Sequence, residues 1–320
     1  MEPVGQRSPW VQLRELAGTL VGSLAAGTLM LSAAGCRCSE SDPGPTPAAS
    51  VPASVASGLP IAPEVISRAV NPRSEKAYAG PVGTVRGRIR ATGDPAPTQE
   101  QVLSQVPSEC ATAREVYGPL FREGPERGLA DVLVAITGYE GYVPARAPIE
   151  VVEASGCAWS SRTVALTFGQ RLDVVSKDRR AYVPQLMGSN MGAQIIALPG
   201  GAESTMYPQS PGRYVLVDSM RIFSTAEVLV LKYATHDVTG VDGKYEISGV
   251  PVGALTLNAL LPATGATLQR EVVVEAGKTV ELDLELPFNA AEYKARPSGS
   301  AAAPSSSAAP PPAASASPPR

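Results

Sequence analysis

The central part of the chain consists of short alternating or apolar runs separated by turn residues. In the run 84–90, apolar and small residues take every second position, which indicates a strand with one solvated face. Comparable runs follow at 131–137, 149–153, 163–168, 171–175, 194–198, 213–218, 227–233, 244–247, 254–260, 270–275 and 279–286. Many short strands with glycine and proline turns between them predict an all-β protein built from β-sandwiches. A helix is predicted only at 99–105, where Val102 and Val106 fall on one side.

The chain begins with a basic and then weakly apolar segment. Arg7 and Arg14 precede a run of Leu, Val, Ala, Gly and Thr that ends in small residues before Cys36. A basic start, an apolar middle and small residues before a cut site predict an export signal at 1–35. An uncleaved anchor is the alternative, because the run approaches the roughly 20 residues that span a bilayer. Either way, we expect the rest of the chain outside the cytoplasm and tethered to a membrane.

The residues before Cys36 resemble the lipobox of bacterial lipoproteins. The segment 31–35 reads Leu-Ser-Ala-Ala-Gly and leads directly into Cys36. The resemblance implies cleavage before Cys36 and attachment of a lipid to it, which makes this residue the membrane anchor of a cell-envelope lipoprotein. Arg37 follows, rather than the aspartate associated with inner-membrane retention in some bacteria, and this favours the outer membrane.

Proline, alanine and serine dominate two flanking segments. The chain holds 30 glycines and 31 prolines in 320 residues, well above the roughly 12% that average composition gives for the two together. Residues 36–76 and 289–320 have few large apolar side chains, so they bury too little surface to offset the entropy of ordering. We therefore predict a disordered tether at 36–76 and a disordered tail at 289–320.

Charge and cysteine content limit the possible functions. The formal net charge is −3 and the folded region has no basic block, so nucleic-acid binding has no electrostatic support. The folded region contains two cysteines, Cys110 and Cys157. An oxidising compartment favours their pairing in a disulfide, and two buried thiols are the alternative.

The last part of the folded region has a specific turn pattern at 236–288. A threonine, an Asp-Gly turn, an aromatic residue and a Pro-x-Gly turn follow in order at Thr239, Asp242-Gly243, Tyr245 and Pro251-Val252-Gly253. The pattern resembles the carboxypeptidase regulatory-like, or transthyretin-like, β-sandwich, a module without peptidase chemistry. Strand 83–91 also looks like the first strand of that module. If it is, the middle region is inserted within the module and the two units are interleaved.

A second resemblance covers residues 77–235. It is carried by the segments 128–134, 156–159 and 168–175. These segments resemble cupredoxin-like envelope proteins, in which a copper-binding histidine follows soon after the strand. Here the residues at 179–182 are Arg-Arg-Ala-Tyr, and Asp218 and Arg221 occupy a later loop where the family places Cys and His. The resemblance therefore implies a cupredoxin-like β-sandwich that has lost its copper ligands.

The single histidine argues against a resident metal. A blue-copper site needs two imidazoles and a thiolate, and a structural zinc site needs four ligands, but His236 is the one histidine of the chain. A lone histidine at a strand end is more often exposed or hydrogen-bonded than a ligand. Asp237 is expected on the opposite face, so it cannot orient the ring. With no other catalytic motif, the sequence predicts no metal, no cofactor and no enzyme activity.

These arguments favour a membrane-anchored, non-catalytic binding or structural protein whose partner is an unknown envelope protein or glycan. The predicted contact residues are Arg179, Arg180, Tyr182 and Arg221, which together with Lys177 could bind a carboxylate or sugar acid. Solvated arginines around a core tyrosine are the alternative interpretation. Tyr139, Tyr142 and Pro144 form a second candidate contact loop, with ordinary turn packing as its alternative.

The alternative function is periplasmic copper handling or electron transfer. Met187, Met191 and Met206 lie in a Gly-rich region, and Cu(I) prefers soft ligands such as thioethers. Methionine that fills gaps in a core is the commoner role.

Overall fold

The computed structural model describes residues 60–188 and 195–295, which lie within one compact unit of the chain. This part of the protein is all-β and forms two β-sandwiches, as the alternating runs predict. The signal peptide predicted at 1–35, the lipid on Cys36 and Met191 fall outside the described residues, as do most of the predicted tether and tail.

The strands of the described residues are short, as expected for β-sandwiches. In chain order they are β1 (Val82–Gly93), β2 (Leu133–Thr137), β3 (Ile149–Ser155), β4 (Ala158–Trp159), β5 (Thr163–Thr167), β6 (Arg171–Ser176), β7 (Pro184–Met187), β8 (Ser204–Met206), β9 (Gly212–Asp218), β10 (Arg221–Leu231), β11 (His236–Val238), β12 (Lys244–Pro251), β13 (Gly253–Leu261), β14 (Ala266–Val274), β15 (Thr279–Glu281) and β16 (Leu284–Phe288).

The first sandwich encloses its core between two four-stranded sheets. Their strand orders are β5–β10–β9–β7 and β4–β3–β6–β8. Inward side chains of both sheets form one apolar cluster in which Trp159, Leu172 and Leu216 are buried. The Nε1 of Trp159 donates to the carbonyl oxygen of Ser224 at 3.0 Å, so the polar atom of this core side chain is satisfied.

The second sandwich is also built from two sheets. One has the order β12–β1–β15 with β16 paired to β1, and the other has the order β11–β2–β13–β14. The Asp-Gly turn predicted before β12 fits tightly against the neighbouring backbone. Gly243 has a φ of +75°, and a Cβ there would lie 2.3 Å from the carbonyl oxygen of Ile89. Only glycine fits this position, and the close approach lets the Gly243 oxygen accept the Ile89 N–H at 2.8 Å.

The two sandwiches are interleaved along the chain. β1 pairs with β12, with Val85 opposite Ile247, and β2 pairs with β13, with Ile136 opposite Leu257. Of the two arrangements that the sequence leaves open, the structure has the interleaved one, so the bounds 77–235 and 236–288 do not separate the two sandwiches. The physical reason is that β1 and β2 bury their apolar faces in the second core, although both precede the first sandwich in sequence. The first sandwich is thus an insertion within the second.

Helices account for a small part of the described residues. They are α1 (Pro63–Val70), α2 (Glu100–Leu103), α3 (Ala111–Tyr117) and α4 (Ala290–Ala295). The helix predicted at 99–105 is present as the single turn α2. A search of the described residues finds no helix with the length and apolar character needed to cross a membrane.

Two segments predicted to be disordered contain helices. In the predicted tether at 36–76, α1 forms because Ile61 and Ile66 pack against the first core and a proline starts the helix. In the predicted tail at 289–320, α4 forms where the Tyr293 ring lies 5.8 Å from the ring of Phe288. The prediction of disorder rested on the average composition of each segment, which does not reveal a few apolar residues that pack against a core. It is therefore wrong for residues 60–76 and 289–295.

Cys110 and Cys157 form the predicted disulfide. Their Cα atoms are 5.6 Å apart and both residues are buried. The bridge fastens the start of α3 to the turn between β3 and β4. Next to it, the hydroxyl of Tyr117 accepts the Trp159 N–H at 3.0 Å, and burial raises the pKa of this phenol. The sequence did not predict α3, which buries only Ala113, Val116 and Tyr117.

A buried carboxylate joins the two sandwiches. Asp131, only 4% exposed, lies just before β2 and accepts two hydrogen bonds from Arg122, at 2.6 and 2.5 Å. From the first sandwich it accepts the Arg162 N–H at 2.8 Å and the Ser161 hydroxyl at 3.0 Å. Apolar side chains meet beside it, with Leu133 from the second sandwich packed near Leu229 from the first.

We expect Asp131→Ala to lower the free energy of unfolding by about 3–5 kcal/mol, because it leaves Arg122 buried without its counter-ion. Urea denaturation followed by tryptophan fluorescence measures the change. Asp242→Ala is the matched control, because that carboxylate pairs with Lys244 at 2.8 Å in a solvent-exposed turn, where water screens the ion pair and its loss changes the stability little. Equal losses in the two variants would contradict the joining role of Asp131.

Candidate functional site

The predicted contact residues lie at one end of the first sandwich, around two aspartates. Asp218, at the end of β9, is fully buried and accepts the Val183 N–H at 3.1 Å and Nη1 of Arg221 at 2.6 Å. Asp178, in the loop after β6, accepts N–H bonds from Gly156 and Arg180, both at 2.8 Å. Burial acts to raise the pKa of Asp178, but these hydrogen bonds outweigh it and hold the pKa below its ordinary value.

Tyr182 connects the two aspartates. Its hydroxyl donates to Oδ2 of Asp178 at 3.1 Å and accepts the Cys157 N–H at 3.1 Å. The guanidinium carbon of Arg221 lies 5.0 Å from the centre of the Tyr182 ring, which is the geometry of a cation–π contact. Burial is the main cause that raises the pKa of Tyr182 to about 12, so the phenol stays protonated. Tyr182 is fully buried and therefore belongs to the core, as in the alternative interpretation of solvated arginines around a core tyrosine.

The predicted cluster is therefore assembled but largely neutralised. Arg180, Tyr182 and Arg221 are brought together, yet Arg180 pairs with Asp178 at 3.0 Å and Arg221 with Asp218. Arg179 is adjacent in sequence and exposed, and within the described residues it makes no ion pair. Lys177 pairs with Glu153 at 3.1 Å. Most of the positive charge expected for an anion site thus has a carboxylate partner within the protein.

An exposed apolar surface, which sequence reasoning missed, lies beside this cluster. We call it the hairpin surface and define it by Met220, Ile222 and Phe223 with Arg180 and Pro107. Met220 and Ile222 are 63% and 65% exposed, and the groove between the residues has a volume of about 550 Å³. Met220 lies in the turn between β9 and β10, and Ile222 is the second residue of β10. The available signal was the Met-Arg-Ile-Phe sequence at 220–223, which places large apolar side chains at a hairpin tip.

A second cleft lies at the junction of the two sandwiches. It has a volume of about 320 Å³, and Glu150 from β3 and Asp237 from β11 both line it. Burial and the nearby Asp237 charge raise the pKa of Glu150 to about 7, and burial raises the pKa of Asp237. Arg122, which also lines the cleft, already pairs with Asp131. The cleft thus contains two carboxylates whose negative charges are costly together.

His236 occupies the same cleft and is hydrogen-bonded. Its Nε2 lies 3.2 Å from the Thr167 hydroxyl, and burial lowers the pKa of the imidazole to about 4. The ring is therefore neutral at pH 7. The described residues contain no group of three His, Cys, Asp or Glu side chains arranged to hold a metal ion.

The remaining candidate residues are separated in the structure. Met206 is buried in the first core, whereas Met187 is 51% exposed on another sheet. In the second contact loop, Tyr139 and Tyr142 line a groove together with Tyr233, and Pro144 is exposed outside it.

Comparison with known proteins gives limited similarity. No protein-family model matches the chain, and no curated protein matches its sequence. Two solved structures of reduced amicyanin variants each have 13% identity and a TM-score of 0.23, and the matches cover 25% and 26% of this chain and 79% and 82% of theirs. The Cu-containing nitrite reductase NirK from Thermus scotoductus SA-01 also has 13% identity and a TM-score of 0.23. That match covers 29% of this chain and 24% of the reductase chain.

Glu150→Gln tests the electrostatics of the junction cleft. Because the folded pKa of about 7 exceeds the ordinary value of 4.5, the folded protein binds the Glu150 proton more tightly than the unfolded chain does. This contribution to stability is complete below pH 4.5 and is lost as the pH rises through about 7. We expect the variant to match the wild type at pH 4.5 and to have a Tm higher by about 2–4 °C at pH 8.

Thermal unfolding followed by circular dichroism at both pH values measures this difference. Glu153→Gln is the control, because Glu153 lies on the same strand but is exposed and paired with Lys177. A Tm difference that is the same at pH 4.5 and pH 8 would contradict the assignment.

Proposed function

We propose that this protein is a non-catalytic binding protein of the cell envelope, anchored by a lipid on Cys36, that holds an envelope protein through the hairpin surface. The observation that carries the proposal is the exposure of Met220 and Ile222, 63% and 65%, directly beside Arg180. Large apolar side chains and arginine are the residue types enriched in protein interfaces.

The energetics of the hairpin surface support this function. Met220 and Ile222 are each about two-thirds exposed, so covering them removes apolar area from water worth about 1–2 kcal/mol for each side chain, before the entropic cost of association. The neighbouring arginines are already paired with Asp178 and Asp218, so a partner does not have to supply carboxylates for them. A protein partner with an apolar patch therefore fits the surface better than the anionic sugar that the sequence suggested.

The rigidity of the surface also supports binding. The Cys110–Cys157 disulfide lines the groove, and Asp218 accepts the Met220 N–H at 3.1 Å, which fixes the hairpin turn. A surface that is ordered before binding loses less conformational entropy in the complex. A disulfide of this kind is also typical of proteins in an oxidising compartment, in agreement with export.

The position of the surface suits a tethered protein. The described chain enters through α1, where Ile66 contacts Gly169 in the turn between β5 and β6. The hairpin surface lies at the other end of β10, a strand of 11 residues that spans about 36 Å. A membrane tether that leads into α1 thus leaves the hairpin surface at the far end of the first sandwich.

The lipid anchor is tested by metabolic labelling with an alkyne fatty acid. We expect Cys36→Ser to lose the label, because the lipid attaches to that thiol. Cys38→Ser is the matched control, two residues away, and keeps the label. A wild type without the label, or a Cys36→Ser variant that is labelled as strongly as the wild type, contradicts the anchor.

The partner surface is tested with the double variant Met220→Ser, Ile222→Ser. We expect cross-linking in intact cells to give a discrete adduct of the wild type that the variant loses at least fivefold, while its Tm is unchanged, because the altered side chains are exposed. Val241→Ser, Val273→Ser is the control, since these side chains are 57% and 64% exposed on the second sandwich. An adduct that survives in the variant, or that a glycan hydrolase removes, rules out a protein partner at this surface.

A further inference from the structure

A groove lined by three tyrosines lies at the opposite end of β10 from the hairpin surface. We call it the tyrosine groove and define it by Tyr139, Tyr142 and Tyr233 with Val70 and Lys232. The loop after β2 provides two of the rings, and the segment after β10 provides the third. Its volume of about 240 Å³ is below the roughly 300–1,000 Å³ of pockets for drug-sized ligands, so the groove suits a small group rather than a peptide.

The three rings form an aromatic lining of neutral phenols. Burial raises the pKa of Tyr139 and Tyr233, so both hydroxyls stay protonated at pH 7. Within the described residues, the rings of Tyr139, Tyr142 and Tyr233 make no ring–ring contact with one another. The face of an aromatic ring attracts a cation, and several such rings around one site are the usual means of binding a quaternary ammonium group.

The acceptors of the groove favour a cation without N–H groups. The carbonyl oxygen of Tyr142 already accepts the Tyr78 N–H at 2.7 Å, and that of Tyr233 accepts the Thr167 hydroxyl at 3.3 Å. A primary ammonium or a sugar brings N–H or O–H donors, and each donor left without an acceptor is costly. A trimethylammonium group has no N–H, so it enters the groove without an unsatisfied donor.

The groove also has donors and a positive charge for an anion. The Tyr139 hydroxyl lies 3.0 Å from Oγ1 of Thr235, whereas the hydroxyls of Tyr142 and Tyr233 have no hydrogen-bond partner among the described residues. Lys232 is exposed and makes no ion pair in that part of the chain, and the described residues that line the groove include no Asp or Glu. A phosphate accepts hydrogen bonds from phenols and pairs with an ammonium group. The groove therefore matches a zwitterion that carries a quaternary ammonium group beside a phosphate.

The position of the groove indicates where such a zwitterion comes from. Val70 lines the groove and is the last residue of α1, through which the described chain enters the first sandwich. A tether from Cys36 thus reaches the protein at the end that contains the groove.

We propose that the tyrosine groove binds the phosphocholine headgroup of a lipid in the membrane that holds the protein. The trimethylammonium group lies against the tyrosine rings, and the phosphate lies between it and Lys232. The choice of a membrane lipid as the source rests on the lipid anchor of the proposed function, whereas recognition of the headgroup rests on the groove alone.

Binding of soluble phosphocholine to the full-length protein in maltoside detergent tests the recognition. Saturation-transfer NMR detects the trimethylammonium protons of the bound probe, and a titration gives its dissociation constant. We expect saturable binding with a dissociation constant on the order of 1 mM. Phosphoethanolamine, which has the same phosphate and a primary ammonium, is expected to bind at least fivefold more weakly. No binding, or equal affinity for the two probes, overturns the proposal.

Two variants separate the two halves of the site. Tyr142→Leu keeps an apolar side chain but removes a ring, and it is expected to weaken phosphocholine binding at least fivefold. Lys232→Gln alters an exposed side chain and is expected to weaken phosphocholine at least threefold but not choline, which lacks the phosphate. Tyr207→Leu is the matched control, because Tyr207 is also half-buried but lies outside the groove. Wild-type affinity in Tyr142→Leu and Lys232→Gln overturns the assignment of the groove.

Reconstitution into vesicles tests the membrane lipid as the source. The anchored protein is placed in phosphatidylcholine or phosphatidylglycerol vesicles, and hydroxyl-radical footprinting reports the exposure of its tyrosine rings. We expect Tyr142 to oxidise about three times more slowly in phosphatidylcholine, with Tyr207 equal in both. Equal Tyr142 rates overturn the proposal even if soluble phosphocholine binds. Failure of the anchor is distinguishable, because it leaves Cys36 unlabelled while phosphocholine binding is intact.

Discussion

The arrangement of the two sandwiches depends on the buried carboxylate of Asp131. Its oxygens accept hydrogen bonds from Arg122 on one side and from Ser161 and the Arg162 N–H on the other. A buried charge of this kind is stable only when its partners are all in place, so it fixes the two sandwiches in one relative position. The apolar contact of Leu133 with the first sandwich adds burial to the same junction but does not specify its geometry.

Much of the strand content follows from the sequence, because alternation with a period of two reveals which side chains face a core. The run 84–90 falls within β1, and the Asp-Gly turn lies before β12, as predicted. Alternation does not reveal which strands pair, since the same apolar face fits any core. The sequence alone therefore left the sequential and interleaved arrangements open. The helices α1 and α4 escaped prediction because each is held by a few tertiary contacts within a segment of disorder-like composition.

The candidate site was predictable by position but not by electrostatics. The resemblance to cupredoxin-like proteins implied that residues 177–182 and 218–221 lie at one end of a sandwich, and in the structure Arg221 contacts Ala181 and Tyr182. The neutralisation of Arg180 and Arg221 was not visible, because pairing with Asp178 and Asp218 depends on side-chain geometry. The junction cleft had no sequence signal, since Glu150 and Asp237 come from strands of different sandwiches and meet only in the folded protein.

The insertion of one sandwich within the other has a consequence for the order of assembly. A chain is synthesised from its N-terminus, so β1 emerges long before β12, β15 and β16 exist to pair with it. The inserted sandwich contains all its own strands, β3 to β10, and can fold first. Until the later strands are made, β1 and β2 have backbone N–H and C=O groups without their partner strands. The pairings of β1 and β2 with later strands join residues that are far apart in sequence. The second sandwich is complete only once β16, which ends at Phe288, has been synthesised. The first sandwich can therefore fold before the second is complete, and completion of the second requires its last strand, β16, to pair with its first, β1.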